Sequence, residues 1–104
     1  MKKSEAEYII LKKLNNNSNL TQRELSKELN VSLGKTNYVI NALIDKGWLK
    51  LKNFKRSDKK LGYSYLITPE GIINKSKLTR SFFRSKSEEY NILKKEIEML
   101  KKEL

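Results

Sequence analysis

The stretch LTQRELSKELNVSLGKTNYVINALIDKG, residues 20–47, decides how this chain folds. Thr21-Gln22-Arg23-Glu24 has the form of a capping box: the Thr side chain takes one free N–H of a first helical turn, and the Glu reaches back for another. Leu20 and Leu25 flank it as a hydrophobic staple. Leu25 and Leu29 continue an apolar face, and Asn30 suits a left-handed residue at the helix end. Ser32 then caps a second helix whose core face is Thr36, Val39, Ile40 and Leu43, and Gly47 ends it. Two helices joined by so short a turn have helix-turn-helix spacing.

Upstream, residues 5–14 read as a short amphipathic helix, with Tyr8, Ile10, Leu11 and Leu14 on one broad face and Lys12 and Lys13 opposite. The Asn-rich run from Asn15 to Asn19 breaks it, because Asn competes for local hydrogen bonds. Downstream of Gly47 the period changes to two. Residues 48–54 read as a strand in which Leu49 and Leu51 alternate with lysines, residues 55–60 as a charged tip, and residues 63–67 as the return strand. Thr68-Pro69-Glu70 opens the last helix, with Thr as cap, Pro in the first turn and Glu complementing the dipole. Gly71 lets that start pack closely, and the helix runs to the end of the chain, with room for a kink between Ser76 and Ser81. The expected fold is mainly α with a small β-hairpin. A winged helix-turn-helix domain occupies residues 1–71, and a long, coiled-coil-like dimerisation helix occupies residues 72–104.

Charge narrows the partner. The chain of 104 residues carries 23 Lys+Arg against 12 Asp+Glu, a formal net charge of +11, and so attracts polyanions, nucleic acid before an anionic membrane surface. It has no Cys and no His, which excludes disulfides, thiolate nucleophiles, zinc fingers and imidazole acid–base chemistry. No apolar run approaches the ~20 residues that span a bilayer. With no nucleotide loop or convergent carboxylate pair either, the expectation is a non-enzymatic cytoplasmic protein with no cofactor, no metal and no membrane partner, associated with the nucleoid when bound to DNA.

In a helix-turn-helix the second helix enters the major groove with its N-terminal residues nearest the bases. Removing the core positions leaves Ser32, Gly34, Lys35, Asn37, Tyr38 and Asn41 as base-reading candidates on double-stranded DNA. Lys35 can donate to guanine O6 and N7, Asn37 or Asn41 can pair bidentately with adenine, and Gly34 permits close backbone approach. Thr21, Gln22 and Arg23, at a helix N-terminus, suit a phosphate. Lys50, Lys52, Lys55, Arg56, Lys59 and Lys60 make the hairpin basic, and Arg56 suits a narrow minor groove. A second basic run, Lys75, Lys77, Arg80, Arg84 and Lys86, lies on the last helix. The same residues also read as ordinary solvated faces. A nonspecific nucleic-acid binder and a winged-helix docking module are the alternatives to sequence-specific regulation.

In the tail, Phe83, Tyr90, Ile97 and Leu104 recur every seven residues, and Lys86, Leu93 and Leu100 fill the intervening position. These are a and d positions of a coiled coil. Glu89, Glu96 and Glu103 take g, and Ser87, Lys94 and Lys101 take e, so a parallel pair would set Glu89 against Lys94 and Glu96 against Lys101. The expected partner is a second copy, in a parallel homodimer through Phe83, Tyr90, Leu93, Ile97, Leu100 and Leu104. A helix packed on its own domain is the alternative; Ile92 and Met99 lie off the seam and widen the apolar stripe.

The order helix, helix-turn-helix, basic wing and C-terminal helix resembles the winged-helix MarR-type bacterial regulators. The run from Ser32 to Tyr38, then Leu43-Ile44-Asp45-Lys46-Gly47, Lys52-Asn53-Phe54-Lys55, the run from Gly62 to Gly71, and the tail from Leu78-Thr79-Arg80 onward look like one subgroup, the MarR family EPS-associated transcriptional regulators. The resemblance covers roughly residues 20–104. It implies a dimeric bacterial transcription regulator and a link to exopolysaccharide gene clusters. The chain differs from typical MarR proteins in its shorter length, brief first helix and coiled-coil-like tail.

Overall fold

The computed structural model describes residues 2–55 and 61–104, with only the backbone at residues 53–55 and 61–63. Four helices and one hairpin follow in the order α1 (Lys3–Asn16), α2 (Gln22–Leu29), α3 (Leu33–Asp45), β1 (Leu49–Lys55), β2 (Leu61–Ile67) and α4 (Pro69–Lys102). The local signals of the sequence act where they were expected. Thr21 Oγ1 accepts from the Glu24 N–H at 3.1 Å while Glu24 Oε1 accepts from the Thr21 N–H at 3.3 Å, a complete capping box. Asn30 is left-handed, at φ 56° and ψ 46°, and turns the chain within three residues to Ser32, whose hydroxyl caps α3 by accepting from the Lys35 N–H. Helix α1 is one turn longer than its apolar pattern, reaching back to Lys3 and on to Asn16.

One core holds these elements. Ala6, Ile10, Leu11 and Leu14 of α1 meet Leu25 and Leu29 of α2, and Val39, Ile40 and Leu43 of α3, with Leu49 and Tyr65 closing the hairpin side. Thr36 is also fully buried, and its hydroxyl donates to the Ser32 carbonyl at 3.0 Å. Among the described residues no buried side-chain N or O lacks a partner, as a core this small requires. Glu7 carries a buried carboxylate on α1; Lys46 Nζ at the end of α3 pairs with it at 2.5 Å and lies 4.6 Å from the Trp48 ring centroid.

Strands β1 and β2 pair antiparallel in the register Leu49↔Ile67, Leu51↔Tyr65 and Asn53↔Tyr63. The expected alternation holds only at the base. Leu49 is buried, but Leu51 is half exposed at the edge of a groove beside Ile40 and Ile44 of α3, although Tyr65, opposite it on the same face, is buried. The Asn-rich turn adds to the sheet: the Tyr65 N–H donates to the Ser18 carbonyl at 3.2 Å.

Helix α4 starts where Thr68 caps the Gly71 N–H and donates its own hydroxyl proton to the Gly47 carbonyl at 2.6 Å. Gly71 is buried against the hairpin base, and a Cβ there would overlap the Trp48 carbonyl oxygen. The helix runs without a break from Pro69 to Lys102, through the segment between Ser76 and Ser81 where the sequence left room for a kink. Leu78 packs on the core and Phe82 on Tyr8, with ring centroids 5.2 Å apart. From Glu88 to Leu104 every residue is exposed. The radius of gyration is accordingly 18.0 Å, against about 13 Å for a compact chain of this length.

Candidate nucleic-acid interface

Helix α3 turns its buried stripe inward and leaves Ser32, Leu33, Gly34, Lys35, Asn37, Tyr38 and Asn41 exposed. At 3.6 residues per turn, Gly34, Tyr38 and Asn41 stand nearly opposite the core stripe, and Asn37 lies toward α2. Gly34 faces open space: nothing lies within 4 Å of a Cβ built there. The fold does not require glycine at that position, so its use is consistent with an external surface approaching the helix. Lys3 of α1 sits 5.8 Å from the Tyr38 ring centroid, which brings the basic start of α1 to the same side.

At the N-terminus of α2, Arg23 is exposed, whereas the Thr21 hydroxyl and the Glu24 carboxylate are engaged with the helix end itself. Part of the local positive potential is thereby neutralised, leaving Arg23 as the charged group there able to face a phosphate. Gln22 is turned inward. Its amide nitrogen donates to the Tyr65 hydroxyl at 3.1 Å, and its oxygen accepts from Asn37 Nδ2 at 3.1 Å. Asn37 Oδ1 in turn accepts from Asn41 Nδ2 at 3.1 Å. The i,i+4 spacing of Asn37 and Asn41 was visible in the sequence, but their connection to Gln22 and Tyr65 was not, since the four residues come from three elements.

On the hairpin, Lys50 and Lys52 are exposed on β1. The side chain of Lys55 and the whole of Arg56, Lys59 and Lys60 fall outside the described residues. Lys77, Arg80, Arg84 and Lys86 are exposed along α4, with Lys75 half buried. The seam residues Phe83, Tyr90, Leu93, Ile97 and Leu100 are 47–74% exposed in the single chain, and Leu104 is fully exposed. Sequence reasoning missed the Glu7–Lys46 pair; the signal was that position 7 shares the spacing of Ile10, Leu11 and Leu14 and therefore the buried face. Among the described residues no cluster of acidic side chains could hold a metal ion, and no helix is long and apolar enough to cross a membrane.

Residues 4–50, from α1 through α3 to the base of β1, match the winged helix-turn-helix DNA-binding family. The described fold is similar to that of MarR-family regulators of known structure. It superposes on the adhesin competence repressor of Streptococcus pyogenes with a TM-score of 0.67 at 23% identity, over 86% of this chain and 65% of that one. It superposes on a MarR protein of Peptoclostridium difficile at 0.65 and 23%, over 93% and 67%. With Streptococcus pneumoniae FabT, solved in complex with DNA, the values are 0.55 and 20%, over 86% and 57%. The chain thus spans less than two thirds of the length of the repressor and of FabT. No curated protein sequence matches it.

Proposed function

We propose that this protein is a transcriptional regulator that reads double-stranded DNA as a homodimer, with residues 1–71 as the reading domain and residues 72–104 as the dimerisation element. The observation that carries the reading is the exposed polar face of α3. Gly34, Lys35, Asn37, Tyr38 and Asn41 stand clear of the core on the second helix of a helix-turn-helix, where major-groove contacts are made. The small leading residues admit a base edge, and Lys35 and the two Asn side chains supply the donors and acceptors that distinguish one base pair from another. Lys50, Lys52 and Arg23 hold the flanking phosphates, and the basic hairpin tip lies along the backbone or in the adjacent minor groove. FabT, a fold relative, is known bound to DNA, which supports the same use here. The role is recognition, not catalysis, in a bacterial cytoplasm.

The tail supports the dimer. A helix whose Phe83, Tyr90, Leu93, Ile97 and Leu100 stay in water as a heptad seam gains by covering them with a second copy. The parallel arrangement sets Glu89 and Glu96 against Lys94 and Lys101 and places two reading heads on one side of the coil. The link to exopolysaccharide genes rests on the resemblance of the recognition helix, wing and tail to that subgroup.

Selection of bound duplexes from a random pool tests the function. A two-fold symmetric motif with half-sites about one helical turn apart is the expected result. Recovery of no enriched sequence would replace regulation by nonspecific binding or protein docking. The position of the motif relative to exopolysaccharide genes then tests the finer assignment.

A further inference from the structure

Four polar side chains from three elements form one chain of hydrogen bonds. It begins at the Tyr65 hydroxyl of β2, passes through Gln22 at the start of α2, and ends on Asn37 and Asn41 of α3. Its inner end is rigid. The Tyr65 ring is 4% exposed, and its backbone N–H is held by the Ser18 carbonyl. Its outer end is in water, on the face of α3 assigned above to base edges. The same residues, with Ile40, Ile44 and Leu51, line a groove of about 240 Å³ between α3 and the hairpin.

The connectivity constrains the amides. A carboxamide has donors on one side and an acceptor on the other, so a linked amide cannot turn over alone without breaking a bond to a neighbour; because the Tyr65 hydroxyl can donate or accept, only a concerted turnover of all three keeps the chain whole. With Gln22 donating to Tyr65, its oxygen faces Asn37, Asn37 must donate, and its oxygen must accept from Asn41. Asn41 Oδ1 is left as the outward acceptor, and Asn37 and Asn41 each keep one N–H for a partner. Isolated Asn side chains on a helix would rotate freely and lose that freedom on binding.

We infer that Gln22 and Tyr65 are specificity-determining positioning residues, which hold Asn37 and Asn41 as a preorganised pair for adenine without touching a base or a phosphate themselves. The inference rests on the DNA-reading assignment of α3, and it moves Gln22 from the phosphate-contacting group to the base-reading apparatus. Adenine is the base favoured because bidentate recognition of N6 and N7 needs one donor and one acceptor, the set a carboxamide offers.

The test compares Tyr65→Phe and Gln22→Met with the unaltered protein on two duplexes, the motif enriched from a random pool and its scrambled version. Phe keeps the buried ring and Met keeps the length of the side chain, and thermal unfolding of both variants checks that the fold survives. If only one variant folds, that variant decides. The expected result is about 3–10-fold weaker preference for the motif, the worth of one or two hydrogen bonds. Affinity for the scrambled duplex and the salt dependence stay unchanged, and a repeated selection loses adenine preference at the bases lost in Asn37→Ala. A general structural defect would weaken both duplexes together. Loss of a phosphate contact would weaken both and flatten the salt dependence; either pattern overturns the inference. An unchanged motif preference in both folded variants also overturns it. Failure of the unaltered protein to enrich any motif would instead remove the DNA-reading assignment on which it stands.

Discussion

At Gly34, stability and the proposed recognition pull in opposite directions. Gly34 lies in the first turn of α3 with open space around it, so nothing inside the fold needs its missing Cβ. Gly34→Ala should therefore stabilise the isolated protein, by up to about 1 kcal/mol, since alanine loses less backbone freedom on folding. It should also weaken duplex binding by crowding the base edges. A calorimetric melt and a binding titration on the same variant check both directions; equal or tighter binding would take Gly34 off the interface. The Glu7–Lys46 pair works the opposite way. Lys46→Ala leaves a buried carboxylate without its cation and should cost about 1–3 kcal/mol in denaturant unfolding. The combined Glu7→Leu, Lys46→Met variant should recover most of that loss, because it removes the charge that needs pairing.

Individual elements are set by their ends. Helices α2, α3 and α4 each begin at a side-chain cap that the sequence marks with Thr21, Ser32 and Thr68, and each cap is made. These were legible because a cap involves residues two or three apart. The fate of Leu51 was not legible, since alternation shows which residues share a strand face but not which of them the neighbouring elements cover. At the start of α4, Gly71→Ala should force the helix away from the Trp48 carbonyl and cost about 1–3 kcal/mol, read as a lowered melting temperature. At its other end, from Glu88 on, the helix packs on none of the other described elements. A protein ending at Lys86 should sediment as a monomer where the full chain sediments as a dimer; a persistent dimer would move the interface elsewhere.

For the molecule as a whole, charge and shape combine. A net charge of +11 on a body carrying a helix of about 50 Å should make binding to any duplex depend steeply on salt. Lys50→Gln with Lys52→Gln should lower affinity for all sequences alike and reduce the slope of log affinity against log salt by up to about 2. Titrations between 50 and 200 mM salt would measure it, and an unchanged slope would place β1 away from the phosphates.

The helix-turn-helix, its caps, the hairpin and the apolar seam of the tail were determined by the sequence alone, because each depends on residues close together in the chain. Tertiary structure decided what joins them: the Lys46 bridge to a buried Glu7, the close fit of Gly71 under Trp48, and the hydrogen-bonded line from Tyr65 through Gln22 to Asn37 and Asn41. Apart from the local Asn41–Asn37 bond, four residues apart, those hydrogen bonds and the ion pair span 15 to 43 residues of chain. No local pattern specifies them; they arise only when packing brings the elements to one place. Residues 20–47 thus specify a helix-turn-helix, and the fold decides which hydrogen bonds its exposed polar side chains make.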